Sequence, residues 1–314
     1  MDGGGVEVWS GCVNTWEIDR MGHMNVRFYI ARSVEGLASF AAELGMPGAF
    51  SARADSTLIL GEQHVRFLRE ARSGASLAMT AGVVEMGECD ARLLFQLNHL
   101  DGQPAATFQM RVTHATSRDG RAFPWPTRIR ERAEQLRVEV PPQAAARSLS
   151  LDAVEPQASL SRAQELGLKR ISMGVIGPSD CDVFGRMRPE IFMSRISDGM
   201  PRLFHLPREA FEAAHGAEPP ERPASLGGAA LEYRLIYLAW PQAGDRYEMR
   251  SGIAGYDDKT RRIVHWMLDP DTGRAWGAAV ATVVSFDLQA RKAVSHTPEA
   301  RALLDRQLVA GLTL

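Results

Sequence analysis

One local pattern occurs twice in this 314-residue chain, and this duplication restricts the folds that the chain can adopt. The first copy is a polar turn from Asp19 to Asn25, after which apolar residues recur at helical spacing to about Leu44. The second copy begins at Asp182, 163 positions later (182 minus 19). The matching pairs are Asp19 and Asp182, Gly22 and Gly185, Met24 and Met187, Arg32 and Arg195, and Gly36 and Gly199. The chain is therefore predicted to contain two similar folding units.

The start of the helix can be placed in both copies. Asn25 is a favoured N-cap, because its side chain accepts a hydrogen bond from an unpaired backbone N–H group. The next residue, Val26, corresponds to Pro189 in the second copy, and proline is favoured at the first helical position. A carboxylate at Asp19 would thus face a helix N-terminus, where unpaired N–H groups and the helix dipole favour negative charge.

The order of the remaining segments is the same in both halves and predicts an α+β fold. One strand precedes the turn and the long helix, and several strand-like segments separated by Gly, Asp and Pro turns follow. Because these strands succeed one another directly, an antiparallel sheet is expected. Strands are predicted at 6–13, 57–69, 76–86, 92–100, 105–116, 170–176, 231–240, 245–256, 261–269 and 274–287, and helices at 26–44, 126–136, 189–205 and 298–308.

The predicted domains are a first unit at 1–137 and a second unit at 162–314, each ending in a helix. Residues 138–161 contain Pro141-Pro142 and Pro156 and are interpreted as a linker along the surface. An insertion with a short helical turn is predicted at 207–223 of the second unit.

The motif Asp-x-x-Gly-His-x-Asn, followed by an aromatic residue and a long helix, resembles the active-site turn of a known family. It is similar to that of hotdog-fold acyl-CoA thioesterases of the 4-hydroxybenzoyl-CoA thioesterase type. Two copies imply a tandem (double) hotdog, in which each unit has a long central helix wrapped by an antiparallel sheet. Many relatives have Gly-His-Val-Asn-Asn, whereas Val26 stands here at the second Asn position.

The resemblance implies hydrolysis of an acyl thioester, carried by coenzyme A or by an acyl carrier protein. Asp19 would act as nucleophile or general base. His23 would position Asp19 or contact the pantetheine arm, and Asn25 would cap the helix. No cofactor is expected beyond the coenzyme A of the substrate. The expected oxyanion donors are backbone N–H groups, represented by Gly22, Met24 and Val26.

The second copy of the motif is less complete. Asp182 and Gly185 are present, but Arg186 replaces the histidine and Arg188 replaces the asparagine. The two arginines could bind the phosphates of coenzyme A, or pair with the neighbouring carboxylates of Asp182 and Asp180. We therefore expect the first copy to carry most of the activity and treat the second as a possible second site.

Two alternatives to a thioesterase remain open at this stage. One is a hotdog dehydratase or hydratase, although such enzymes separate Asp and His by four residues and only three separate Asp19 from His23. The other is a non-catalytic hotdog protein that binds acyl-CoA. A thiol nucleophile at Cys181 is disfavoured, because the first copy has no matching cysteine and no basic partner is evident.

Charge, cysteine content and hydrophobic pattern argue against a nucleic-acid-binding, zinc-binding, secreted or membrane protein. The net charge is −2 and gives no basic field for nucleic acid. Three scattered cysteines indicate reduced thiols and no zinc site. No signal peptide and no apolar run of the ~18–20 residues needed to span a membrane is visible, so a cytoplasmic protein is expected. Open sheet edges predict a homodimer or a higher homo-oligomer.

Overall fold

The computed structural model describes residues 5–204, 226–287 and 289–314. Both halves contain the predicted strand, long helix and series of strands. The insertion expected at 207–223 lies outside the described residues. In the first half the elements are β1 (Val6–Cys12), α1 (Val26–Glu43), β2 (Ser56–Phe67), β3 (Ser76–Met86), β4 (Asp90–His99), β5 (Pro104–Thr116) and α2 (Thr127–Gln135). In the second half they are α3 (Leu160–Glu165), β6 (Lys169–Val175), α4 (Pro189–Phe204), β7 (Leu226–Tyr237), β8 (Arg246–Tyr256), β9 (Thr260–Leu268), β10 (Ala275–Asp287), β11 (Lys292–Val294) and α5 (Pro298–Gln307).

The strands of the described residues form one continuous antiparallel sheet. Its order is β1-β3-β4-β5-β2-β7-β10-β9-β8-β6, with β11 paired to β10. The halves join where β2 pairs with β7, and His64 lies opposite Arg234 at this seam. Going outwards from the seam, corresponding strands follow in the same order on both sides. The arrangement is a tandem double hotdog with a pseudo-twofold axis near these two residues, as the sequence predicted.

The two long helices lie antiparallel on the same face of the sheet. The side chain of Asn25 at the start of α1 reaches Ser197 in α4. Each helix approaches its own sheet closely at a duplicated glycine. A Cβ atom on Gly36 would lie 2.7 Å from the Sδ atom of Met79, and one on Gly199 would lie 2.7 Å from Ile171 Cδ1. The absence of a side chain at both positions lets helix and sheet pack without a clash.

The core between the helices and the sheet is apolar and also shows the duplication. Tyr29 packs edge-on against Phe67 with ring centroids 5.2 Å apart, and Phe192 packs against Tyr237 in the same way at 6.0 Å. Phe40 on α1 is completely buried. Burying a side chain of this size stabilises the fold by about 1.5–3 kcal/mol, so these contacts hold each helix against its sheet.

The connection between the halves lies on the opposite face of the sheet. Gln63 points towards the helices and bonds to Ser33, so its neighbour His64 points away from them. There, Glu232 contacts His64 at 2.7 Å and accepts hydrogen bonds from the N–H groups of Arg147 and Ser148. Burial alone would raise the pKa of Glu232, but these bonds outweigh it and lower the pKa to about 2. The predicted linker is therefore pinned along the seam between the halves.

Some local predictions need correction. Strand β7 begins at Leu226 and not at 231, because its glycine- and alanine-rich start pairs with β10 although such residues have low strand propensity. Helix α3, which spans the predicted boundary between the linker and the second unit, was not predicted, and its Ser159 cap accepts from Arg162 N–H. Strand β11 was also missed. The exact domain boundaries stay a prediction. None of the described helices is both long and apolar enough to cross a membrane.

Candidate active site

The first polar turn is a tight loop that brings Asp19 and His23 together. The Asp19 N–H donates to the carbonyl of His23 at 2.9 Å, and the Gly22 N–H donates to the carbonyl of Asp19 at 3.0 Å. Gly22 has a φ of 82°, which favours glycine at this position. As a result the His23 Nδ1 atom lies 3.3 Å from Asp19 Oδ2. The other carboxylate oxygen accepts the N–H of Met21 at 2.7 Å.

Both side chains of this pair are mostly shielded from solvent, with exposed fractions of 15% for His23 and 20% for Asp19. Burial lowers the pKa of His23, and the carboxylate of Asp19 opposes this by raising it. The positive charges of Arg291 and Arg72 lower it further, and the net pKa is below the usual value of 6.5. His23 is therefore mainly neutral at pH 7, and its contact with Asp19 is a polar contact more than an ion pair.

Asn25 caps helix α1, as predicted. Its side-chain oxygen accepts the N–H of Arg27 at 3.0 Å, and its side-chain nitrogen donates to the hydroxyl of Ser197 at 3.2 Å. The start of α1 in one half is thereby tied to α4 in the other. Among the described residues, Asn25 therefore serves as the helix cap and as a tie between the two long helices.

The backbone donors near the turn are not equivalent. The N–H of Gly22 is bonded to Asp19, and the N–H of Met24 donates to the Ala71 carbonyl at 2.8 Å. These two expected oxyanion donors are thus engaged within the fold. The N–H of Val26 has no acceptor among the described residues. It is the donor that this helix end can offer to an incoming oxyanion.

A buried ion pair beneath the turn was not predicted as part of the site. Glu17 is almost completely buried, accepts the N–H of Asn14 at 2.7 Å, and pairs with Arg32 from α1. The same pair recurs in the second half, where Arg195 contacts Asp180 at 2.8 Å. The signal was present in the sequence, because both partners recur at the offset of 163. Each pair fixes the turn against the helix that follows it.

The second turn has the same backbone but a different side-chain arrangement. The Asp182 N–H donates to the Arg186 carbonyl at 2.7 Å, and Gly185 has a φ of 79°. One carboxylate oxygen of Asp182 accepts two N–H groups, from Phe184 and Arg186. Its other oxygen lies 3.4 Å from Arg186 Nε, and the guanidinium also stacks on the Phe184 ring. The second carboxylate is therefore held by an arginine where the first contacts a histidine.

The helix end of the second turn also differs from that of the first. Pro189 occupies the first helical position, and proline has no N–H group. Arg188 bonds to the carbonyl of Ser179 at 2.9 Å and pairs with Glu190 at 3.0 Å. Burial raises the pKa of Glu190, although the charge of Arg188 lowers it. The N–H group of Val26 in the first helix therefore has no counterpart at this position of the second helix.

Three further residues surround the first turn and were missed at the sequence level. The Tyr29 hydroxyl accepts the N–H of Ala71 at 3.2 Å, and burial followed by the charge of Asp19 raises the pKa of this tyrosine to about 12, with the Ala71 bond opposing it. Glu70 lies 3.8 Å from His23 Nε2, and Arg291 contacts Glu70. No local pattern points to Glu70 and Arg291, because they come from distant parts of the chain.

The largest-volume cleft described here lies away from both turns. A cleft of about 510 Å³ lies between the ends of α3 and α5 and strands β6 and β8, and none of its lining residues belongs to either turn. No group of three or more His, Cys, Asp or Glu side chains in the described ranges is arranged to hold a metal ion.

Comparison with known families agrees with the duplicated geometry. A family model described as the thioesterase-like superfamily matches residues 13–133 and again residues 176–304, which together exceed half of the chain. The chain belongs to the thioesterase-like superfamily. Each match includes one of the two polar turns. The specific 4-hydroxybenzoyl-CoA type stays a prediction, and a comparison with curated protein sequences found no match.

Solved structures share the fold over nearly the whole chain. A protein described as an oleoyl thioesterase from Lactobacillus plantarum is 10% identical with a TM-score of 0.64, covering 90% of this chain and 97% of its own. The 12:0-ACP thioesterase from Umbellularia californica is 12% identical with a TM-score of 0.63, covering 88% and 93%. An acyl-ACP thioesterase from Bacteroides thetaiotaomicron is 11% identical with a TM-score of 0.60, covering 88% and 96%. At such identities the likeness concerns the fold.

Proposed function

We propose that the protein hydrolyses acyl thioesters and that the first turn is its working site. The observation that carries this proposal is the largely shielded Asp19–His23 pair, placed just before a helix whose first N–H group has no acceptor among the described residues. A carboxylate and an oxyanion donor are the two groups that thioester hydrolysis needs. Membership of the thioesterase-like superfamily supports the same reaction.

The reaction can follow either of two routes from Asp19. As a nucleophile, a carboxylate oxygen bonds to the carbonyl carbon, the C–S bond breaks, and water then cleaves the resulting anhydride. As a general base, the carboxylate takes a proton from a water molecule that attacks the same carbon, and the proton passes to the departing thiolate. In both routes the N–H of Val26 and the dipole of α1 would stabilise the oxyanion.

Neutral His23 would support both routes. An imidazolium beside Asp19 would bind the carboxylate as an ion pair and reduce its reactivity, whereas a neutral ring can orient it without neutralising it. The lowered pKa of His23, caused first by burial, favours the neutral ring at physiological pH.

The substrate class proposed is an acyl group on coenzyme A or on an acyl carrier protein. Two of the structurally similar proteins are named for acyl-ACP substrates, which makes the carrier protein a substrate worth testing first. The 4-hydroxybenzoyl-CoA type would instead favour an aromatic acyl-CoA. Among the described strands, β1 and β6 each leave one sheet edge open, and a homodimer or higher homo-oligomer is therefore part of the proposal. A cytoplasmic location is proposed with it.

The test is a panel of acyl-CoA and acyl-carrier-protein substrates with aliphatic and aromatic acyl groups, followed by release of free thiol. We expect hydrolysis of at least one substrate, at the same rate with and without a chelator. Binding should be measured in parallel by calorimetry. Tight binding of acyl-CoA without thiol release across the whole panel would favour the non-catalytic binding protein.

A further inference from the structure

The first turn has a contact from the second half of the chain. Arg291, directly before β11, contacts Glu70, which follows β2 in the first half. The side chains of both residues remain about one-third exposed. A charged pair at such a position joins the two halves beside the candidate site.

Glu70 of this pair also lies near His23, which in turn contacts Asp19. The carboxylate of Glu70 lies 3.8 Å from His23 Nε2, and His23 Nδ1 lies 3.3 Å from Asp19. The imidazole therefore has a carboxylate on each side, and Arg291 pairs with the outer one. Arg72 is the other positive charge that acts on the ring. Because Arg291 neutralises Glu70, the outer carboxylate can orient the ring without strongly favouring its protonation.

The backbone of Arg291 is unusual. Its φ is 54°, and it is the single non-glycine residue with a positive φ among the described residues. A non-glycine side chain in this region is uncommon and carries an energetic cost. The N–H of Arg291 donates to the Asp287 carbonyl at 2.8 Å, while its guanidinium lies over the Phe286 ring at 5.4 Å and contacts Glu70.

Among the residues that the structure describes, the second turn has no equivalent of this arrangement. Ala71 and Pro241 accept the corresponding N–H groups of Met24 and Met187, so the counterpart of Glu70 is Trp240. Trp240 stacks on the Tyr237 ring at 5.0 Å and carries no charge. The row of alternating charges thus belongs to the first turn.

We propose that Arg291 is a positioning residue that the second half contributes to the site of the first half, where it holds Glu70 beside His23. The imidazole is thereby oriented towards Asp19. The link to catalysis rests on the proposed thioesterase function, whereas the link between Arg291 and the state of His23 does not.

The test variant is Arg291→Asn, because asparagine tolerates a positive φ better than most residues while removing the charge. The neighbouring exposed Lys292→Asn is the matched control, since it removes an equal charge from the same hairpin. The pKa of the His23 ring is measured by NMR titration in the full chain. We expect Arg291→Asn to raise it on the order of half a unit, because a repelling charge is lost. Lys292→Asn should change it little, and Arg291→Lys should restore most of the original value.

Activity supplies the second readout. Arg291→Asn should lower kcat several-fold with little change in KM and should move the acid limb of the pH profile upwards. An unchanged His23 pKa would overturn the proposal. So would a rise in KM confined to phosphate-bearing thioesters with the His23 pKa unmoved, which would assign Arg291 to substrate binding. If no substrate is hydrolysed at all, the titration still decides the proposal, so its failure is distinct from a failure of the thioesterase function.

Discussion

The two turns of this protein share a backbone and differ in chemistry. The N–H groups of Met24 and Met187 each donate to a neighbouring loop at 2.8 Å, and Gly22 and Gly185 each close a turn at 3.0 Å. Duplication has thus preserved the hydrogen bonds that build the loop. The side chains that would act on a substrate have diverged between the copies.

Two differences separate the candidate active turn from its counterpart. His23 contacts Asp19 in the first turn, whereas Arg186 and two N–H groups hold Asp182 in the second. The first helix begins with an N–H group at Val26, whereas the second begins with a proline. Proline fixes the helix start well but removes the donor. The comparison suggests that the second turn is retained for its structural role.

The largest expected effect concerns the dependence of the halves on each other. When residues 1–137 and 162–314 are expressed as separate proteins, both should be poorly soluble. Strands β2 and β7 would become unpaired edge strands, and the contact between α1 and α4 would be absent. The measurement is the soluble fraction, followed by sedimentation. Two soluble, well-folded monomeric halves would contradict the pseudo-twofold packing, and would allow each turn to be assayed alone.

The next-largest effect is expected from removal of the Val26 N–H group, the proposed oxyanion donor. Val26→Pro copies the second turn, and the backbone of Asn25 (φ −64°, ψ 140°) already suits a residue before proline. Removal of one oxyanion donor should lower kcat on the order of a hundredfold. Val26→Ala keeps the N–H and is the control. Equal, small effects of the two variants would show that this N–H does not hold the oxyanion.

A smaller loss is expected when the histidine is exchanged for its counterpart. His23→Arg should pair with Asp19 as Arg186 pairs with Asp182, and should lower kcat roughly tenfold or more. The reverse change, Arg186→His, should leave kcat nearly unchanged if the second turn is idle. A clear gain in kcat from Arg186→His would mean that the second turn can become catalytically active and that the missing N–H group at Pro189 does not prevent catalysis.

The smallest effect is a displacement of the pH profile. Since burial and the nearby arginines outweigh the effect of Asp19 and hold the pKa of His23 below 6.5, the ring becomes mostly protonated only on the acid side of that value. The kcat/KM value should therefore be flat from pH 7 to pH 8 and fall only on the acid side of pH 6.5. His23→Gln should remove this limb. An acid limb above pH 7 that depends on His23 would contradict the account.

The sequence predicted the parts of the structure that are local or repeated. The duplicated turn, both long helices and most strands follow from spacing and turn chemistry, and the Asn25 cap was placed correctly. Partners brought together by tertiary packing were not predictable. Glu70 and Arg291 are separated by more than two hundred residues, and their contact depends on the pairing of β2 with β7. The engaged N–H groups of Gly22 and Met24 likewise depend on how the turn folds back on itself and on a neighbouring loop.

The most direct test of the central claim compares Asp19→Asn with Asp182→Asn, because each substitution keeps the size of the side chain and removes the carboxylate. On the best substrate, Asp19→Asn should lower kcat on the order of a hundredfold or more. Asp182→Asn should cost far less or mainly raise KM, with melting temperatures confirming that both variants are folded. Equal losses would mean two working sites. A loss from Asp182→Asn alone would contradict the assignment of the first turn.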